Sequence, residues 1–448
     1  MISVPAPRLT RNRGKGRKPL GGNGVSGFPM FLRRAVAAAS VAVLATGCRS
    51  VLPGVGIADP RTDRGVIPAL LDTGRYPTTP RPALGAAGNE EVGKLIEARR
   101  MAEAVLLPAQ INPGLTNRNA GQCNPGPLTA AGADGNWGYL DRGFGHQLST
   151  AITTDDFIAG FFNCAAGNHP VSLTNVVLRY ATARTALSAA AALARADINP
   201  DSKFRWSAVP LSDRPDTVVL LGSEVASEGR PEYGTAPVRA IAYTSYGPYV
   251  VARAAVAEDA PEAQQLALSG LDQQGSALDT FTSTPVDELA DLPTDPTGLA
   301  AKTLPDRYSP LTAVYGPHGI LSFPTNTAKA QDLFTATGVT AAAFSTANVY
   351  QARDPVAATE LAAGLSDEKA SGEYPLAPAG PVPGMPDARC LLPHVQSGVI
   401  GEVHCVIPAG RYVVEVRGSG VSFSKDPVGA ERDAHRRLAA QYLMVTAS

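Results

Sequence analysis

Apolar residues change period several times along this chain, and the changes mark its elements. Residues 35–44 are continuously apolar apart from Ser40, a run too short for the roughly 20 residues of a membrane-spanning helix. From Asn89 the period becomes helical. Val92, Leu95, Ile96, Ala102 and Leu106 share one face, Asn89 can cap the first turn, Glu90 and Glu91 suit it, and Pro108 forms a stop. The pattern predicts a helix over 89–107. Two strand-then-helix patterns follow over 175–193 and 348–365.

An internal echo organises the rest. Gly247-Pro248-Tyr249-Val250-Val251 recurs as Gly410-Arg411-Tyr412-Val413-Val414. Each reads as a turn entering a strand, and alanine-rich helices are predicted after them over 260–278 and 426–445. Two helices of the second half open alike, at Asp354-Pro355 and Asp426-Pro427, with aspartate at the cap and proline at the first helical position. On the last helix Ala434, Leu438, Tyr442 and Val445 fall on one face. Each half therefore reads strand–helix and then strand–strand–helix. The predicted fold is α+β: two similar lobes, each a mostly antiparallel sheet with helices on one face, in an order that suggests duplication. A stretch rich in proline, threonine and aspartate over 282–309 reads as a linker, and 376–386 as a loop within the second domain.

The short apolar run acquires meaning from its flanks. Arg33-Arg34 precedes it, Ala45-Thr46-Gly47 follows it, and Cys48 comes next. A basic start, an apolar core and small residues at a cleavage site form a secretory signal. A cysteine directly after that site marks lipoprotein processing, with Cys48 the lipidated residue. The expected organisation is a signal peptide over 1–47, a lipidated tether over 48–70, an N-terminal α+β domain over 71–284, a linker over 285–309 and a C-terminal α+β domain over 310–448. Residues 1–29 carry six basic residues and no acid, and Met30 offers an alternative start for a signal of ordinary length.

Removing the leader alters the charge. The chain has 39 Lys+Arg and 40 Asp+Glu; residues 1–47 hold eight basic residues and no acid, leaving 31 against 40. This negative balance argues against nucleic acid as a partner. It also leaves membrane attachment to the acyl chains, of which two or more make a stable anchor. Four further cysteines, Cys123, Cys164, Cys390 and Cys405, read as two disulfides in an oxidising compartment. Three connectivities are open, and proximity favours Cys123–Cys164 with Cys390–Cys405.

Several segments carry a resemblance: residues 71–81 (LDTGRYPTTPR), Glu97-Ala98-Arg99-Arg100-Met101-Ala102 with Leu107-Pro108 and Asn112-Pro113, the Gly410-Arg411-Tyr412-Val413 turn, and residues 438–444 (LAAQYLM). Through them the chain resembles a family of lipoproteins from mycobacteria, nocardiae and relatives, the domain of unknown function 7373 with its separate C-terminal domain. The resemblance covers most of the chain after the leader. It implies an address and an architecture, and no activity.

Candidate chemistry is sparse. Cys390, His394, His404 and Cys405 could suggest zinc, but His404 and Cys405 are neighbours in a predicted strand and point to opposite faces; a cross-strand disulfide is the expectation. A dispersed hydrolase or transferase site would need two or more of Asp155, Asp156, His146 and His169 to converge in one pocket. The glycine-punctuated segment 135–146, with Trp137, Tyr139, Arg142 and Phe144, is the best candidate for a binding loop, against the simpler reading of a disulfide-stapled loop folded onto its own domain. Neither a catalytic residue nor a metal or cofactor is expected. The favoured function is a lipid-anchored, extracytoplasmic protein of the cell envelope that binds a ligand or partner without catalysis: envelope lipid, glycan or another protein. An envelope-acting enzyme and a structural scaffold are the alternatives.

Overall fold

Valine-, alanine- and phenylalanine-rich strands with few polar interruptions need cover on both faces, and two sheets of this kind carry the fold. The computed structural model describes residues 65–118, 124–130, 156–198, 204–224, 237–306, 311–372, 375–393, 402–418 and 425–447, with Leu140, Phe144 and Leu148. The first sheet contains β1 (Gly126–Leu128), β2 (Phe157–Ala166), β3 (Ser172–Tyr180), β4 (Phe204–Val209), β5 (Thr217–Glu224), β6 (Val238–Tyr246) and β7 (Tyr249–Ala257). The second contains β8 (Ala313–Tyr315), β9 (Ala341–Phe344), β10 (Asn348–Gln351), β11 (Ala377–Pro378), β12 (Arg389–Leu392), β13 (His404–Ala409) and β14 (Tyr412–Arg417). Eight helices are described: α1 (Glu90–Met101), α2 (Pro108–Ile111), α3 (Ala183–Asp197), α4 (Ala260–Leu268), α5 (Leu271–Thr280), α6 (Thr327–Thr337), α7 (Pro355–Ser371) and α8 (Pro427–Thr446). None of them is long and apolar enough to cross a membrane.

The two sheets share one topology. Their orders are β1-β2-β3-β7-β6-β5-β4 and β8-β9-β10-β14-β13-β12-β11, every pairing antiparallel. In each lobe three strands meander, a helix crosses over (α3 or α7), and four strands return from the far edge until the last pairs with the third. The repeated Gly-x-Tyr-Val-Val segment occupies the same place in both, the turn between the last two strands. Gly247 and Gly410 take φ of +52° and +58° there, values that glycine adopts without the steric cost other residues meet. The α+β fold of two similar lobes is thus as the sequence implies.

One part of that expectation is corrected: helices lie on both faces of each sheet. On β13, Val406 joins the apolar cluster that contains α7 residues Ala357, Ala358 and Leu361, while Cys405 and Ile407 join Ala434, Leu438 and Met444 of α8. Alternate side chains point oppositely, so α7 and α8 sandwich the sheet. In the first lobe α3 covers Val176, Leu178 and Val250, whereas α4 packs against Ala240, Ala242 and Ala255 on the opposite face. Tight helix–sheet contact follows from the small residues of these helices.

Local capping explains where most helices begin. Asn89, Thr182, Asp259, Asn326, Asp354 and Asp426 each accept a backbone N–H of the first turn. Two predicted helices end early, for tertiary reasons. The helix from Asn89 stops at Met101 because Leu106 N donates to Gln274 Oε1 at 3.0 Å, while Leu106 O accepts from Asn163 and Asn175 at 3.1 and 2.9 Å; that backbone is committed elsewhere. The stretch 260–278 divides at Gly270, φ +69°. Arg253, fully buried, donates there through Nη2 to Gly270 O at 3.2 Å and through Nη1 to Ser269 O.

The lobes are held together by a shared apolar cluster running from Met101, Val105, Phe161 and Val177 to Tyr315, Ile320, Phe334 and Tyr350. Polar locks surround it. Glu103 accepts from Gly319 N at 2.8 Å and His318 N at 3.2 Å, Arg118 N donates to Thr325 O at 2.9 Å, and Thr327 N donates to Thr116 O at 3.0 Å. Residues 286–291 form a 3-10 turn laid directly on α1; a Cβ added at Gly93 would sit 2.1 Å from Leu289 O.

Candidate functional site

Ladder register makes the two lobes comparable residue by residue. Val250 of β7 pairs with Leu178, and Val413 of β14 pairs with Tyr350. Two positions along, Ala252 pairs with Val176 and Glu415 pairs with Asn348; beyond them Ala254 pairs with Ile241 and Arg417 with His404. In the first lobe this layer beneath the crossover helix is Val176, Leu178, Ile241, Ala252 and Ala254, all within one apolar cluster. In the second lobe the same five positions are Asn348, Tyr350, His404, Glu415 and Arg417. An apolar layer suffices to build this fold, so a charged one in its place calls for another explanation than stability.

Glu415 is the hub, 1% exposed. Its Oε1 accepts from His404 Nε2 at 2.9 Å and Arg417 Nε at 3.1 Å; its Oε2 accepts from Asn348 Nδ2 at 2.8 Å, Tyr350 Oη at 2.9 Å and Arg417 Nη2 at 3.4 Å. Burial alone would raise this carboxyl, yet Arg417, His404 and Asn348 together hold it well below its ordinary value. The carboxylate in turn holds the Arg417 guanidinium above its usual range, against the opposing effect of burial. Burial and the neighbouring Glu415 charge push the Tyr350 hydroxyl up, so it remains a donor. His404 Nδ1 is buried with no hydrogen-bond partner among the described residues.

Against this network lies a cleft of about 370 Å³ between the lobes. The first lobe contributes Arg118, Asn124 and Pro125; the second contributes Tyr315, Phe323, Phe344, the β9–β10 turn at Ser345 and Thr346, and the outer edges of Asn348 and Arg417. The three rings form a wall, with centroids 4.7 Å apart for Tyr315–Phe323 and 5.1 Å for Phe323–Phe344. Near the same charges, Lys369 Nζ stands 3.3 Å from Thr325 Oγ1 and 3.7 Å from Glu368. Burial, and then repulsion by Arg417, lower the affinity of both Arg118 and Lys369 for their protons. The described lining offers guanidiniums, amides, hydroxyls and rings, and no carboxylate, imidazole or thiol.

The residues singled out from sequence fall mainly elsewhere. Cys390 and Cys405 form a disulfide, with a Cα separation of 4.1 Å across paired strands. Their sulfurs lie near His435 but are spent on each other, while His404 turns to the opposite face and Glu415. Cys164 is disulfide-bonded; Cys48, Cys123 and His394 lie outside the described residues. Of the suggested binding loop, Trp137, Tyr139 and Arg142 also lie outside them. Phe144 is fully buried, with its ring 6.2 Å from Tyr243, and packs within the core of the first lobe. Asp156 and His169 stand at opposite ends of β2 and do not converge; His146 and Asp155 are outside the described residues. Sequence reading weighed His404 only as a zinc ligand and set it aside, and it passed over Glu415, Asn348, Tyr350, Arg417 and Arg118. One signal was present: aligning the echo sets Glu415 opposite Ala252.

Comparison with known proteins gives two family matches, the domain of unknown function (DUF7373) N-terminal over residues 84–294 and the domain of unknown function (DUF7373) C-terminal over residues 292–448. No curated protein matches the chain. Among solved structures, the extracellular domain of PknH from Mycobacterium tuberculosis is 15% identical with a TM-score of 0.26, covering 40% of this chain and 96% of that one. A likeness that slight carries no argument.

Proposed function

The chain belongs to the DUF7373 family through both of its domains, and from that premise we propose a lipid-anchored, extracytoplasmic protein that holds a small ligand between its lobes without transforming it. The observation that carries binding is the charged layer around Glu415 where the sister lobe is apolar, set against a cleft walled by both lobes. The polar locks at Glu103, Arg118 and Thr327 fix these walls before any ligand arrives, which lowers the entropic cost of binding. Binding is favoured over catalysis because Glu415 accepts five hydrogen bonds behind Asn348 and Arg417. No basic oxygen or ring nitrogen is on the described cleft wall.

Anchoring rests on Cys48 and the signal-like residues before it. Cells fed radiolabelled palmitate should label the wild-type chain and retain it in membranes, while Cys48→Ala should be unlabelled and released. Equal labelling and retention of the two forms would remove the anchor from this reading.

A further inference from the structure

We infer that the cleft ligand is a small anion, a carboxylate or phosphate group carried on a flat apolar body; this rests on the cleft being the binding site. The wall sorts into two halves. Tyr315, Phe323 and Phe344 form an apolar, ring-bearing surface to which an aromatic or similarly flat body can stack. Opposite in character, Arg118 and Arg417 line the same cavity from different lobes, and their charges are close enough to repel each other. Arg417 is oriented by Nε and Nη2 on Glu415, its side chain is still 37% exposed and it lines the cavity, so on this inference Nη1 is the donor that meets the ligand. A guanidinium fastened on one edge presents the other in a fixed fork, the arrangement that suits carboxylate and phosphate oxygens.

The electrostatics agree. Glu368 and Glu402 draw on Arg118, but burial and Arg417 outweigh them and the balance at Arg118 disfavours its charge. An anion between the two guanidiniums would offset that repulsion. The volume, about 370 Å³, lies at the small end of ligand pockets, which suits one ring with one anionic group.

Calorimetric titration of the full-length protein in detergent tests this with four probes: phenyl phosphate, benzoate, inorganic phosphate and benzyl alcohol. At least one of the first two should bind with 1:1 stoichiometry, and their ratio distinguishes phosphate from carboxylate. Inorganic phosphate lacks the body and benzyl alcohol the charge, so each should bind at least roughly tenfold more weakly. Arg118→Gln should weaken the preferred probe by roughly tenfold or more. Arg118→Lys, which keeps charge and loses the fork, should fall between and serves if the glutamine form misfolds. Phe323→Leu should weaken phenyl phosphate while leaving any residual inorganic phosphate binding unchanged. Benzyl alcohol binding as tightly as phenyl phosphate, in a manner sensitive to Phe323→Leu, would overturn the anion and leave the cleft as a site. Probe binding unaffected by both Arg118→Gln and Phe323→Leu would overturn the anion and the cleft together.

Discussion

Glu415→Leu should lower the unfolding free energy by about 3–5 kcal/mol, the usual cost of removing one partner from a buried ion pair. The change leaves Arg417 without its carboxylate, and strands the Asn348 amide, the Tyr350 hydroxyl and His404 Nε2 without their acceptor. Denaturant unfolding reads the loss directly; a shift below about 1 kcal/mol would mean that water or neighbouring acids replace Glu415. The carboxyl also sets an acid limb. Its folded pKa lies well below the ordinary 4.5, so its contribution is complete above that value and is lost as pH falls from there towards the depressed folded value. Glu415→Gln should therefore show a shallower decline in stability below about pH 4.5 than wild type. Parallel acid limbs in the two proteins would contradict the assignment.

The second large effect lies in the other lobe. Glu97→Ala should also cost about 3–5 kcal/mol, because Glu97 is fully buried and joins three segments. Arg179 Nη1 of β3 donates to it at 2.7 Å, Thr284 N and Oγ1 each at 3.0 Å, and Arg100 of α1 also reaches it. Without the carboxylate, Arg179 stays 6% exposed and uncompensated, and Thr284 no longer ties the segment after α5 to α1. Arg179→Ala should be costly as well, and the double variant should cost clearly less than the sum of the two. Simple additivity would show that the pair is not coupled. The two carboxylates differ in role: loss of Glu97 should leave cleft affinity unchanged in the molecules that remain folded, whereas loss of Glu415 releases Arg417 from its orientation.

Much of the architecture was legible from pattern. Caps at Asn89, Asp354 and Asp426 located helix starts because capping is local chemistry, and the Gly-x-Tyr-Val-Val echo marked a turn that recurs at one topological position. What pattern missed was decided at long range. Met101 ends α1 because Leu106 bonds to Gln274 and Asn175, which are distant in sequence. Gly270 interrupts α4 and α5 because the buried Arg253 takes the carbonyls there. Helices on both faces are implied by strands such as β7, apolar at successive positions, yet that same composition is compatible with a one-sided sheet of small residues. The candidate site was hidden for a related reason. Within Tyr412-Val413-Val414-Glu415-Val416-Arg417 the charges fall at alternate positions and look like a solvent face, and only the second lobe's packing turns that face inward. Phe144 shows the converse, an aromatic in a glycine-rich segment that reads as part of a binding loop and packs as core.

The charged layer of the second lobe, on this reading, exists for a ligand. Replacing it with its sister-lobe equivalents (Asn348→Val, Tyr350→Leu, His404→Ile, Glu415→Ala and Arg417→Ala together) tests this through native mass spectrometry of protein extracted from membranes. The variant should be compact and folded, since a well-packed apolar layer is often as stable as a buried ion pair, and it should lack a small bound mass that wild type carries. An unfolded variant, or a wild type and variant that carry the same bound mass or none, would contradict this reading.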